Sequence, residues 1–113
     1  QGELQDAQVI GEVVIEPGAQ LVRTTVRGPA HIAQGAYLED SYIGPYTSVG
    51  AGCQVLRSEV EYSILLRGAV VQDLPYRLDS SVLGQDVRVE GGKQGVRRHT
   101  LQLVLGDRSQ VCL

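Results

Sequence analysis

One aliphatic residue recurs along this chain at a spacing that neither a helix nor an ordinary strand produces. Val9, Ile15, Leu21, Val26, Ile32, Leu38, Ile43, Val49, Val55 and Val60 are separated by steps of six, six and five, repeated in that order. The steps add up to a 17-residue period. Other residue types keep the same frame: Gly18, Gly35 and Gly52, then Ala19, Ala36 and Cys53, then the hydroxyls Thr24, Ser41 and Ser58. Such steps wander around a helical wheel, and Gly breaks any two-residue strand alternation at fixed offsets. A coil with three flat sides satisfies every constraint. Each side is a short strand with one aliphatic pointing inward, and each corner is a turn. Gly supplies backbone angles that a side chain would forbid. Stacked coils pair every buried backbone amide with the coil above or below.

The frame predicts an all-β parallel β-helix of roughly five coils over residues 7–90. It slips once. Positions 72 and 77 should point inward but hold Gln72 and Arg77. Leu65, Val71 and Leu78 are better inward residues, so a one-residue shift or bulge is expected between Tyr62 and Asp79, with Pro75 at a corner or loop. The frame resumes at Leu83 and Val89. Residues 90–95 are Gly-rich and read as a loop. Residues 96–113 are expected to form a short strand cap over the open sheet edges. No cap is evident near Gln1 to Ala7.

Composition narrows the function. The chain has 113 residues, one domain's worth, with 10 basic and 13 acidic side chains for a formal charge of -3. This argues against a nucleic-acid binder that relies on a general positive field. No run approaches a membrane span, and nothing near Gln1 resembles a signal peptide. Two cysteines, Cys53 and Cys112, cannot make a disulfide framework, so a reducing, cytoplasmic setting is expected. Met, Phe and Trp are absent. The core must therefore be aliphatic, and a chain without Met is expected to be processed or cut from something longer.

The steps Ile43-Gly44-Pro45-Tyr46-Thr47-Ser48 and Val49-Gly50-Ala51-Gly52-Cys53-Gln54 resemble those of hexapeptide-repeat proteins, whose fold is a left-handed parallel β-helix. That resemblance, not the spacing, implies the hand. A narrower set occurs in order: Arg27-Gly28-Pro29, Ile43-Gly44-Pro45-Tyr46-Thr47, Ser58-Glu59-Val60-Glu61-Tyr62-Ser63, Ser81-Val82-Leu83-Gly84 and Leu105-Gly106-Asp107. It is similar to the C-terminal domain of long-form glucose-1-phosphate thymidylyltransferases, sugar-1-phosphate nucleotidyltransferases of dTDP-sugar biosynthesis. The resemblance implies an N-terminal Rossmann-like catalytic domain that binds nucleotide and Mg2+, and this chain holds no Gly-rich phosphate loop leading into a helix. Its only lysine, Lys93, lies in the Gly-rich segment. The resemblance implies a non-catalytic domain that packs on its own nucleotidyltransferase domain and takes part in a homo-oligomer, with a trimer favoured. It implies no cofactor, metal or catalytic residue in this chain.

Individual residues have competing readings. His31 is a corner or surface histidine, or, in an acyl-CoA-dependent hexapeptide acyltransferase, the general base on an acceptor hydroxyl or amine. A zinc hydratase on this scaffold needs three histidine ligands, and the chain has only His31 and His99. Cys53 falls in the small-residue row and reads as an inert buried thiol. Cys112 sits near the end with no nucleophile motif around it. Arg97-Arg98-His99 is a basic cluster at a strand edge, open to solvent or to an acidic partner. Glu59 and Glu61 flank inward Val60 and should share a solvated face. Tyr37, Tyr42, Tyr46, Tyr62 and Tyr76 are the only aromatics, and several fall at outer positions that favour an interface.

Overall fold

A computed structural model describes residues 3–91, 100–101 and 103–112. Among the described residues all elements are strands, and every strand pairing is parallel. The architecture is the left-handed parallel β-helix of about five turns implied above. Three sheets of seven, six and six strands form its walls. Face A stacks Glu3–Gln5, Gln20–Val22, Tyr37–Glu39, Gln54–Leu56, Val70–Gln72, Arg88–Glu90 and Gln110–Cys112. Face B stacks Gln8–Ile10, Thr25–Arg27, Tyr42–Ile43, Glu59–Glu61, Arg77–Asp79 and Thr100–Leu101. Face C stacks Val13–Ile15, Ala30–Ile32, Thr47–Val49, Ile64–Leu65, Val82–Leu83 and Val104–Leu105.

The inward residue of each wall stacks on its counterpart one coil away. Leu21, Leu38, Val55, Val71 and Val89 on face A are fully buried. So are Val26, Ile43, Val60 and Leu78 on face B, and Ile32, Val49 and Leu83 on face C. Ala19, Ala36, Cys53, Ala69 and Val87 fill the corner between faces C and A. Each buried aliphatic contributes about 1.5–3 kcal/mol by leaving water. No single large residue anchors this core, so its strength lies in the number of repeats.

Val9 departs from the expectation. It keeps the register, pairing with Val26, but is 41% exposed. Leu4 on the same coil is 52% exposed. Among the described residues no coil lies below them, so an inward direction does not bring burial there.

The expected slip between Tyr62 and Asp79 is a set of three changes that cancel by Leu83, the last being a step of five, not six, from Leu78. The step from Val60 to Leu65 is five residues, where Ile43 to Val49 takes six. The step from Val71 to Leu78 is seven, where Val55 to Val60 takes five. The extra length is absorbed at the corner by Leu74, which turns fully into the core. Pro75 stands in the same corner.

The C-terminal strands cover the open sheet edges, and their pairing gives the form that the expected strand cap takes. Thr100–Leu101, Val104–Leu105 and Gln110–Cys112 pair with Arg77–Asp79, Val82–Leu83 and Arg88–Glu90, so they lay another course on the same three walls. Strand Glu3–Gln5 likewise extends face A before residue 7. Of the Gly-rich loop, Glu90 and Gly91 are described. A Cβ on Gly91 would stand 1.7 Å from the carbonyl oxygen of Asp73, so only Gly fits there.

The corners carry the strain. Gly18, Gly35, Gly52 and Gly68 take positive φ between faces C and A. Between faces A and B the same left-handed geometry falls on Asp6, Arg23, Asp40, Arg57 and Asp73. A non-Gly residue in that region costs about 1–2 kcal/mol. Ion pairing offsets part of this. Arg23 Nε and Nη2 donate to the Asp40 carboxylate at 2.7 and 3.2 Å, and Arg57 donates to both carboxylate oxygens of Asp73 one coil higher.

A buried hydroxyl ladder runs alongside. Thr24, Ser41 and Ser58 each donate to the carbonyl two residues earlier, at 2.8–2.9 Å. Each also accepts from the amide of the next coil: Ser41 N to Thr24, Ser58 N to Ser41, Leu74 N to Ser58, at 3.3–3.4 Å. Ser63 and Ser81 repeat the arrangement at the corner leading into face C. The 17-residue recurrence of hydroxyls is therefore a backbone-satisfying device.

Candidate functional site

The three walls present different outer surfaces. Faces A and B are polar, with charges that answer one another. Arg77 on face B reaches Glu59 at 3.2 Å and Glu61 at 3.3 Å, and lies 6.0 Å from the centroid of the Tyr42 ring. Glu59 and Glu61 do project outward on one face, and Arg77 gathers both. On face A the Tyr37 hydroxyl donates to Glu39 at 2.7 Å, which pushes its own ionisation upward.

Face C has another character. Its outward row is Val14, His31, Ser48, Ile64, Val82 and Val104, one residue per coil. The residue above Ser48 is Ile64, not Leu65 as the unbroken frame implies, because of the five-residue step below it. Leu65 points inward and is buried. Tyr46 and Tyr62 take positive φ at the corner beside this row, which throws both rings outward. They stack with centroids 5.5 Å apart and planes 23° apart.

An open groove of about 360 Å³ runs beside the lower part of the row, with Val14, His31, Tyr46 and Ile64 among its walls. His31 sits mid-strand in Ala30–Ile32, not at a corner. Its Nε2 lies 2.7 Å from Glu16 Oε2, while Glu16 Oε1 accepts from the Gln34 amide at 2.9 Å. The His31 hydrogen bond, seconded by that amide, holds the Glu16 carboxyl below its ordinary range. A histidine oriented by a carboxylate in an open groove can relay a proton. Here the oriented nitrogen is the one engaged by Glu16.

Cys53 is fully buried, and its thiol donates to the Leu66 carbonyl at 3.0 Å. Burial raises its pKa and removes it as a nucleophile at neutral pH. Cys112 lies in the last strand of face A. The expectations for Lys93 and for Arg97-Arg98-His99 fall outside the described residues. Among the described residues no three His, Cys, Asp or Glu side chains gather as a metal site, and no helix is long and apolar enough to cross a membrane. The sequence frame stacks His31 with Val14 and Ser48 but continues to Leu65, so it misses the rest of the outward row of face C, Ile64, Val82 and Val104. Its signal was available as the residue before each inward aliphatic of that wall.

No protein-family model matches the chain. Two curated relatives do. The glucose-1-phosphate thymidylyltransferase of Streptomyces antibioticus is 40% identical over 103 residues, which is 91% of this chain and 28% of the relative. That of Streptomyces griseus is 39% identical over 104 residues, 92% of this chain and 28% of the relative. The chain thus spans just over a quarter of their length, and the similarity lies in their C-terminal part.

Proposed function

We propose that this chain is the β-helix domain of a glucose-1-phosphate thymidylyltransferase and serves docking and assembly rather than the transfer step. The parent reaction would join dTTP and glucose 1-phosphate to give dTDP-glucose and diphosphate, with Mg2+ held in the N-terminal catalytic domain. The partners would be that domain and further copies of the chain, with a trimer favoured, in the cytoplasm. The observation that carries this is identity of about 40% across nearly the whole chain, confined to the C-terminal part of the relatives. The outer surface supports it. On face B Arg77 pairs with Glu59 and Glu61, whereas face C and its stacked tyrosines offer apolar area to a partner.

A diphosphate-release assay with dTTP, glucose 1-phosphate and Mg2+ tests the assignment. The chain alone should release none, and the longer protein that contains it should turn over. Turnover by residues 1–113 alone would sink the docking role.

One observation favours a second reading, an acyl-CoA-dependent acyltransferase with His31 as general base: the 2.7 Å contact between His31 and Glu16 beside an open groove. Thermal stabilisation by acetyl-CoA that disappears in His31→Ala would promote this reading over the first.

A further inference from the structure

We infer that face C is the wall through which one copy of this chain packs against another. This rests on the assembly role proposed above and adds to it which wall is used. Ten large apolar side chains are exposed among the described residues, and three of them, Leu4, Val9 and Ile10, belong to faces A and B of the first coil. The other seven all lie on face C or its two bordering corners. Val14, Ile64, Val82 and Val104 form the outward row, Tyr46 and Tyr62 line one edge, and Leu66 the other. Chance scatter over three walls would not leave the outer surfaces of faces A and B without one above the first coil.

The amount of surface fits a specific contact. From their fractional exposures, these seven residues present roughly 700 Å² in all, close to the roughly 800 Å² per partner of a standard interface. His31 is the one titratable group in the outward row, and Glu16 already pairs with it. Burying the upper part of this wall therefore desolvates no unpaired charge of the row.

The repeat favours a second copy over an unrelated partner. The row is a comb of side chains, one per strand, at the sheet spacing of about 4.8 Å. A surface of different pitch would fall out of step within two or three teeth. Another wall of the same pitch interdigitates along its whole length, and a second face C has both the pitch and the apolar character.

Sedimentation velocity on the 113-residue chain, from about 1 to 100 μM, reads the outcome directly. The wild type should sediment as a multiple of its 12.2 kDa monomer as concentration rises. Ile64→Asp and Val104→Asp should each weaken association at least tenfold, while Gln54→Asp on face A should leave it unchanged. Val104 is 79% exposed, so its substitution disturbs little of the fold, and far-ultraviolet circular dichroism checks that the coils remain. A wild type that stays monomeric throughout overturns the proposal and passes face C to a partner of another kind. Association that survives both face C substitutions also overturns it, yet leaves the assembly role standing. The diphosphate assay decides that role separately.

Discussion

Replacing Ser41 by Ala tests whether the hydroxyl ladder holds the coils together. Ser41 is 7% exposed. Its hydroxyl donates to the Glu39 carbonyl at 2.8 Å, with the Val55 carbonyl at 3.1 Å, and accepts from the Ser58 amide at 3.3 Å. With one proton to give, the hydroxyl cannot fully serve both carbonyls, so removing it disturbs them little. The Ser58 amide is different. It is buried, and in Ser41→Ala it faces a methyl group. An orphaned buried donor costs about 1–3 kcal/mol. At roughly 4–5 °C per kcal/mol for a domain of this size, the midpoint of thermal unfolding should fall by about 4–15 °C. Calorimetry or circular dichroism melts would measure it, with Ser48→Ala on the outer surface as the control. A loss no greater than that control, or below about 0.5 kcal/mol, would refute the reasoning, because a water or a shifted carbonyl would then be replacing the hydroxyl.

Gly52→Ala and Gly28→Ala should separate two kinds of cost. Gly52 has φ 70 and nothing within 4 Å of an added Cβ, so the substitution should lose only about 1 kcal/mol of backbone preference. At Gly28 the new Cβ would stand 2.0 Å from the Glu12 carbonyl oxygen, and melts should show a loss several times larger or no folded protein. Stability should decline in acid for a stated reason. The Arg23 hydrogen bond, then its charge, holds Asp40 below its ordinary 3.8, and the His31 hydrogen bond holds Glu16 below 4.5. A depressed carboxyl stabilises fully above its unfolded value and ceases to do so as pH falls through its folded one, so the loss should begin below about pH 4 and shrink with salt or in Arg23→Ala. Both carboxyls are solvent-exposed, so the change should be small. Cys53, raised by burial, should resist iodoacetamide at pH 8 in native protein and react once the chain is unfolded, as peptide mapping would show.

The fold was legible because the inward positions are chemically distinct. Only an aliphatic suits a site where Leu21, Leu38 and Val55 stack with no access to water, so the sequence repeats there. The corners between faces A and B were far less legible. Their left-handed geometry falls on Asp, which accepts it more readily than most types, and on Arg, which gives no such signal and is held by ion pairs between coils. The register change shows in the sequence but its parts do not, because two steps shortened by one residue and one lengthened by two cancel by Leu83. Leu74 gave the clue, an extra aliphatic between Val71 and Leu78. His31 was singled out by type, but its partner Glu16 is 15 residues away and comes beside it only through the winding. The apolar character of face C was hidden for a similar reason. One residue per coil, interrupted by His31 and Ser48, makes no run that the eye follows along the chain.

Extra length in this molecule has one address. From face C to face A the stride from one inward residue to the next is six at every coil, from Ile15 to Leu21 through Leu105 to Val111. Between faces A and B it is five for four coils, then seven from Val71 to Leu78, and the chain between strands Arg88–Glu90 and Thr100–Leu101 is longer again. One edge of the column thus behaves as a seam that can be let out, while the opposite edge keeps fixed stitching. Foreign peptide grafted at that seam would leave the walls in step, whereas a single residue added at the rigid edge would turn the next aliphatic toward the solvent.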